Sequence, residues 1–279
     1  MERLRSSTSS SDVALKIYGE RNTGTNYLTA LMDQNLCAEV LPGHVDGKDL
    51  RTQLTRRLHR ALPGLARGLH EAARDRYFEA TFARNLGWKH MNPDVARIGA
   101  DALSSVRFLM VVKNPYSWLL SLFQRPYHVG GKDTRFEEFL ERHLGVMEQR
   151  ENIGRDPLSP VEVWNRKMRG YQVLKAAAKH AMIVRYEDFL EDEAAALERV
   201  ATQLGITLRG THIPITGGVK HADGELSHKD YATYYLQEKW RDRLSKSALE
   251  RINAELDPDL VTRLGYQMIS PDQPPYPTA

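Results

Sequence analysis

Apolar and polar positions change period several times along the chain. Val13, Leu15 and Ile17 alternate with smaller or polar residues up to Tyr18, which is the period of a β-strand. Tyr27, Leu28, Leu31 and Met32 then recur at helical spacing. Leu36 to Leu41 is a candidate second strand, closed by Pro42-Gly43. Leu50, Leu54 and Leu58 repeat at every fourth position and predict an amphipathic helix stopped by Pro63-Gly64. Leu86 to Met91 predicts a short strand ending at Asn92-Pro93. Val106 to Val112, VRFLMVV, is the near-continuous apolar run of a parallel strand covered on both faces. Leu119, Leu120 and Phe123 predict the next helix, and Phe136 to Met147 another. Ser159-Pro160-Val161-Glu162 opens a helix with an N-cap, a first-turn proline and a capping box; its apolar stripe is Trp164, Met168, Tyr171 and Leu174. Ala181 to Val184 predicts a strand that leaves through Arg185-Tyr186-Glu187-Asp188, and Glu191 to Leu204 a helix. Gly217 to Lys229 predicts a loop. Tyr231 to Leu264 is expected to be helical with one break near Asp257-Pro258. Strands alternating with helices predict the α/β class, three layers with a central parallel sheet, and ligands at the carboxyl ends of the strands.

Composition narrows the function classes. The chain has 279 residues, 41% of them hydrophobic, enough for a sizeable core. Its formal charge is +3, which suits anionic ligands without suggesting a nucleic-acid partner. Cys37 is the sole cysteine, so an intrachain disulfide and a cysteine metal site are both excluded. No apolar run approaches the ~20 residues of a membrane span, and no membrane partner is expected. The polar, serine-rich opening lacks an apolar signal core, and the expected location is the cytoplasm. Oligomeric state has no signature.

The chemistry concentrates at strand ends. Gly19-Glu20-Arg21-Asn22-Thr23-Gly24-Thr25 is a G-x-x-x-x-G-T loop between a strand and a helix. Glycines permit the tight turn, and free N–H groups at a helix start point at an anion. The lysine that precedes the Ser/Thr of a nucleotide-hydrolysing loop is absent. Lys89-His90 and Lys113-Asn114-Pro115 end two further predicted strands. Lys113 and Ser121 are spaced so that a cation at a strand exit and a hydroxyl on the next helix can close on one phosphate.

These segments resemble the sulfotransferases that use 3′-phosphoadenosine 5′-phosphosulfate (PAPS). YGERNTGTNYL is similar to that family's 5′-phosphosulfate loop and VVKNPYSWLLS to its 3′-phosphate segment. IVRYEDFLED is similar to the strand and turn that follow, and KWRDRLSKSALERINAELDPDLVTRLGY to its C-terminal helices. The resemblance implies a P-loop-containing nucleoside triphosphate hydrolase-like fold over residues 12–268. It leaves 43–84 unmatched, read as a helical insertion on the acceptor side, with 1–11 a disordered lead and 269–279 a Pro-rich tail. It implies that Gly19, Arg21, Asn22, Thr23, Gly24, Thr25 and Asn26 surround the 5′-phosphosulfate and that Lys113 and Ser121 hold the 3′-phosphate. Tyr186 would meet the adenine. Tyr27 sits where the family often has an aromatic residue near the adenine, with core packing as its other role. His90 aligns with the family's base. The loop departs from the family by carrying Asn22 where Lys or Arg is usual, and Lys113 stands where Arg is usual. Arg21, with Lys89, is therefore expected to stabilise the leaving phosphate oxygen. Lys220 is a further phosphate candidate.

The implied reaction is transfer of a sulfuryl group from PAPS, with 3′,5′-adenosine bisphosphate (PAP) as product. The acceptor is a hydroxyl or amine of a small molecule or carbohydrate. Basic side chains neutralise the charge, and no metal is expected. Arg125, Tyr127 and His128, with the 43–84 segment, are expected to shape the acceptor site. Two other readings stay open on the sequence. One is a P-loop kinase using Glu187 and Asp188 as metal-binding acids. The other is a catalytically silent binder of anionic glycans through Arg51, Arg56, Arg57, Arg60 and Arg67.

Overall fold

A computed structural model describes residues 13–126, 135–144, 149–154, 156–215 and 228–272. The elements run β1 (Ala14–Gly19), α1 (Thr25–Asn35), β2 (Glu39–Val40), α2 (Leu50–Ala61), α3 (Pro63–Ala80), α4 (Phe82–Asn85), α5 (Val95–Ser105) and β3 (Arg107–Val112). They continue with α6 (Pro115–Gln124), α7 (Phe136–Glu141), α8 (Pro160–Ala177), β4 (Ala181–Arg185), α9 (Tyr186–Glu191), α10 (Glu193–Leu204), α11 (His228–Leu236), α12 (Lys246–Glu255) and α13 (Pro258–Arg263). The four strands form one parallel sheet in the order β2-β1-β3-β4.

Strand alternation builds two cores, one on each face of the sheet. Tyr18, Phe108, Met110 and Val112 point to one face, where they meet Trp164, Met168 and Tyr171 of α8 and Leu119 of α6. Leu15, Ile17, Leu109 and Val111 point to the other, against Leu28 and Leu31 of α1 and Leu197 and Val200 of α10. Burial of both faces explains why β3 reads as a continuous apolar run. The three-layer α/β/α expectation holds. The α8 start also holds: Ser159 Oγ accepts from the Glu162 N–H at 3.0 Å.

Several expectations are corrected. Leu86–Met91 is not a strand. Leu86 and Gly87 take positive φ angles of 54° and 86°, and the segment becomes a loop clamped by β1. Lys16 Nζ donates to the carbonyls of Asn85 and Gly87, both at 2.5 Å, and Tyr18 OH to that of Leu86 at 2.5 Å. Burial, then the nearby Lys89 charge, lowers the Lys16 pKa to about 7. The second strand shrinks to Glu39–Val40. Pro63 ends α2 but also opens α3 as its first-turn residue. Phe136–Met147 closes as a helix at Glu141, and Leu144 pairs in antiparallel fashion with Leu158. The region after Tyr231 breaks at Glu238, which has φ 51°, as well as before Pro258. Residues 1–12, most of the predicted 217–229 loop and 273–279 lie outside the described residues, as do Tyr127, His128 and Lys220.

Candidate functional site

Parallel register brings three strand ends level. Gly19 stands opposite Val111, and Val112 opposite Arg185. The loop leaving β1 therefore faces the turns leaving β3 and β4. Its own residues shape it. Thr23 Oγ1 donates back to the Glu20 carbonyl at 2.6 Å. Asn22 takes φ 66° and Gly24 φ 77°. Gly24 is the N-cap of α1, and no side chain caps that helix. The first N–H groups of a helix have no partner within it, so the α1 terminus offers donors and the positive end of a dipole. Two glycines permit the close packing: a Cβ at Gly19 would stand 2.6 Å from Thr25 Cγ2, and one at Gly24 2.5 Å from the Tyr186 ring. Tyr186 is thereby seated on the loop.

The 86–91 loop returns a backbone to the same place. Gly19 N–H donates to the Lys89 carbonyl at 2.9 Å. Lys89 Nζ donates to Asn26 Oδ1, which places an ammonium at the first turn of α1. His90 Nδ1 lies 2.5 Å from the Gly19 carbonyl. A carbonyl is only an acceptor, so Nδ1 carries the proton and Nε2 is the basic nitrogen. Burial, then the Lys89 and Arg21 charges, holds the imidazole well below its ordinary pKa despite the Gly19 bond. Trp88 meets His90 edge-on, with ring centroids 5.0 Å apart.

Lys113 and Ser121 meet as their spacing requires. Lys113 Nζ donates to Ser121 Oγ at 3.0 Å and approaches the Asn22 carbonyl at 3.5 Å, which ties the pair to the loop. Asn22 Nδ2 also reaches the Ser121 carbonyl at 3.4 Å. Asn114 caps α6 and holds the turn between them. Lys113 lies 3.9 Å from the Tyr235 ring centroid and 5.8 Å from that of Tyr186. Burial alone would raise the Tyr235 pKa. The Lys113 charge, with hydrogen bonds to Lys113 and Ser121, overrides it and lowers the phenol below its ordinary value. Sequence reasoning missed Tyr235. Its only local signal is its place in the Tyr234-Tyr235 pair of a short helix.

Two expected residues are engaged by partners within the protein. Tyr27 is buried in the α1 core and its hydroxyl donates to Glu193, so of its two roles the structure shows packing. The Arg21 guanidinium pairs with Glu151 and stacks 4.6 Å from the Trp88 ring. Glu151, wholly buried, also pairs with Lys167 Nζ at 2.9 Å, and Lys167 lies 2.9 Å from Glu20. This ionic chain under the loop was not legible, because Glu151 and Lys167 are far from it in sequence. The acids Glu187 and Asp188 are also engaged. Glu187 accepts from Asn114 N–H at 3.0 Å and Tyr266 OH at 2.8 Å, and Asp188 pairs with Arg185 at 2.6 Å. Among the described residues, no group of three or more His, Cys, Asp or Glu side chains is placed to hold a metal ion.

No family model matches the chain, and no curated protein does. Solved structures similar in outline include three sulfotransferases. The sulfotransferase domain from the Synechococcus PCC 7002 olefin synthase is 12% identical, with 87% of this chain and 93% of that chain covered and a TM-score of 0.42. The sulfotransferase domain from the curacin biosynthetic pathway is 11% identical, with 92% and 98% covered and a TM-score of 0.47. The sulfotransferase from Alicyclobacillus acidocaldarius is 13% identical, with 86% and 94% covered and a TM-score of 0.43. At these values the likeness carries no argument about chemistry, which rests on the residues of the site.

Proposed function

We propose that this chain is a sulfotransferase that uses PAPS and sulfates a hydroxyl or amine of a polar small molecule or carbohydrate. The observation that carries the reading is the Lys113–Ser121 contact at 3.0 Å, beside a helix terminus that no side chain caps. A lysine–serine pair and a helix terminus together suit a donor with a phosphate at each end of its nucleoside. Gly24 also lets the Tyr186 ring pack directly on the loop, since a Cβ there would stand 2.5 Å from it.

The donor supplies an activated sulfuryl group on a phosphate leaving group. Gly24, Thr25 and Asn26 hold its 5′ end through the α1 terminus, with Gly19 and Thr23 shaping the turn. Lys113 and Ser121 hold the 3′-phosphate, the first as a point charge and the second as a hydroxyl donor. Tyr186 offers its ring and hydroxyl to the adenine. Lys89, held at Asn26, neutralises charge that develops on the leaving oxygen. Arg21 acts by positioning, since its guanidinium is engaged by Glu151. His90 takes the acceptor's proton at Nε2, with the tautomer set by the Gly19 carbonyl. No metal is required by this arrangement. Trp88 also lines a cleft of about 450 Å³ with Asp75, Arg76, Phe82 and Arg97. Neither Lys89 nor His90 lines that cleft, so it is not assigned to the acceptor.

The kinase reading loses support because Glu187 and Asp188 are held by Asn114, Tyr266 and Arg185. The test is transfer of radiolabelled sulfate from PAPS to a panel of sugars, phenols and amines. His90→Ala is expected to cut turnover by at least ~10²-fold with donor affinity kept. Near-normal turnover in that variant refutes His90 as the base. Phosphoryl transfer from ATP with Mg²⁺, without sulfuryl transfer from PAPS, refutes the donor.

A further inference from the structure

The α2–α3 pair carries a surface that the proposed reaction does not use. Leu50, Leu54, Leu58, Leu62, Leu65 and Leu69 are between 41% and 82% exposed, and only three other large apolar residues among those described are as open. An amphipathic helix usually turns such a stripe to the core. Here the helices touch through other positions. Thr55 Oγ1 lies 3.2 Å from His70 Nδ1, and the His59 and His70 rings stack 5.8 Å apart. Thr52 and Ala66 are the buried residues of this end of the pair. At about 100° of rotation per residue, the leucines of each helix form one stripe, and the two stripes turn to the same side of the antiparallel pair. The apolar periodicity that predicts an amphipathic helix is therefore real, and its stripe faces outward.

Between positions 50 and 70 every charged residue is basic: the chain has Arg51, Arg56, Arg57, Arg60 and Arg67, two histidines and no acid. All five arginines are exposed. Helical spacing sets Arg51 and Arg57 on either side of the Leu54 stripe. Charge decides among occupants. A second copy of this face would set arginines against arginines, while the flanking acids are engaged: Asp49 caps α2 and Glu71 pairs with Arg150 and Arg74. A nucleic acid or free glycan would pair the arginines but leave the leucines in water. An anionic lipid surface takes both, apolar side chains at the acyl boundary and arginines among the headgroups.

We propose that the α2–α3 face seats the protein on an anionic membrane surface, through Leu50, Leu54, Leu58, Leu62, Leu65 and Leu69 bordered by arginines. This is seating and not spanning, since no helix among the described residues is long and apolar enough to cross a bilayer. It revises the expectation of no membrane partner.

The test is sedimentation of the full chain with vesicles of phosphatidylcholine alone or of phosphatidylcholine with phosphatidylglycerol. Binding is expected only to the second and is expected to weaken as salt is raised. Leu54→Glu with Leu65→Glu, and separately Arg51→Gln with Arg57→Gln, should each reduce it by about tenfold or more. Both pairs are exposed, so thermal melts of the variants should match the parent. Three results overturn the proposal. The first is no sedimentation with anionic vesicles. The second is vesicle or heparin binding that ignores the leucine changes, which marks a plain polyanion site. The third is a lipid-free dimer that Leu54→Glu dissociates.

Discussion

Gly24 and His90 show how single residues set this site. Gly24 combines a φ of 77° with a Tyr186 ring 2.5 Å from where a Cβ would stand. Gly24→Ala should cost about 1–2 kcal/mol for the left-handed backbone alone, seen as a lower denaturant midpoint at unchanged slope. It should also push Tyr186 off the loop and weaken PAP binding. A variant with parental stability and affinity would show that the loop relaxes freely. For His90, protonation must add a charge at a buried nitrogen facing Lys89 and Arg21, so it requires a pH well below 6.5. The base is then already neutral at pH 6.5. The His90 limb of kcat/KM for the donor should lie wholly below pH 6.5, apart from any change at about pH 7 where Lys16, which holds the 86–91 loop, titrates. Apart from that Lys16 change, an acid limb centred at 6.5 or above would contradict the assignment. Lys113 and Ser121 were legible because strand exit and helix spacing fix their meeting locally. Tyr235 was not, because a chain turn far downstream brings it over Lys113.

At the scale of elements, legibility tracked how local the deciding forces are. β1, β3, β4, α8 and α10 follow from periodicity and caps. The 86–91 segment failed because its apolar alternation is real but its backbone is claimed by Lys16 and Tyr18, residues on a strand that pattern alone does not link to it. α2 forms over Leu50–Ala61 as its periodicity predicts, with its leucine stripe exposed. The ionic chain from Arg21 through Glu151 and Lys167 to Glu20 belongs to this scale, since it ties the Gln149–Glu151 turn and α8 to the loop. Removing a fully buried partner leaves cations uncompensated. Glu151→Ala should therefore destabilise by about 3–5 kcal/mol, read from chemical denaturation, and should lower donor affinity as the loop loosens. A loss below about 1 kcal/mol would mean that water or Glu20 compensates the pair.

At the scale of the molecule, the register of a parallel sheet does the assembling. Gly19, Lys113 and Tyr186 come from three separate strand exits, and level strand ends bring them to one edge. Helix layers on both faces keep that edge fixed, and the 86–91 loop adds Lys89 and His90 to it. We propose this edge as a donor site for a nucleotide with a 3′-phosphate. Calorimetric titration with PAP, set against ATP with Mg²⁺, tests it most directly. The account predicts PAP binding at micromolar strength, weaker or absent binding of ATP, and loss of at least about tenfold in affinity with Lys113→Ala or Ser121→Ala. Preference for ATP with Mg²⁺, or PAP binding indifferent to both variants, would contradict it.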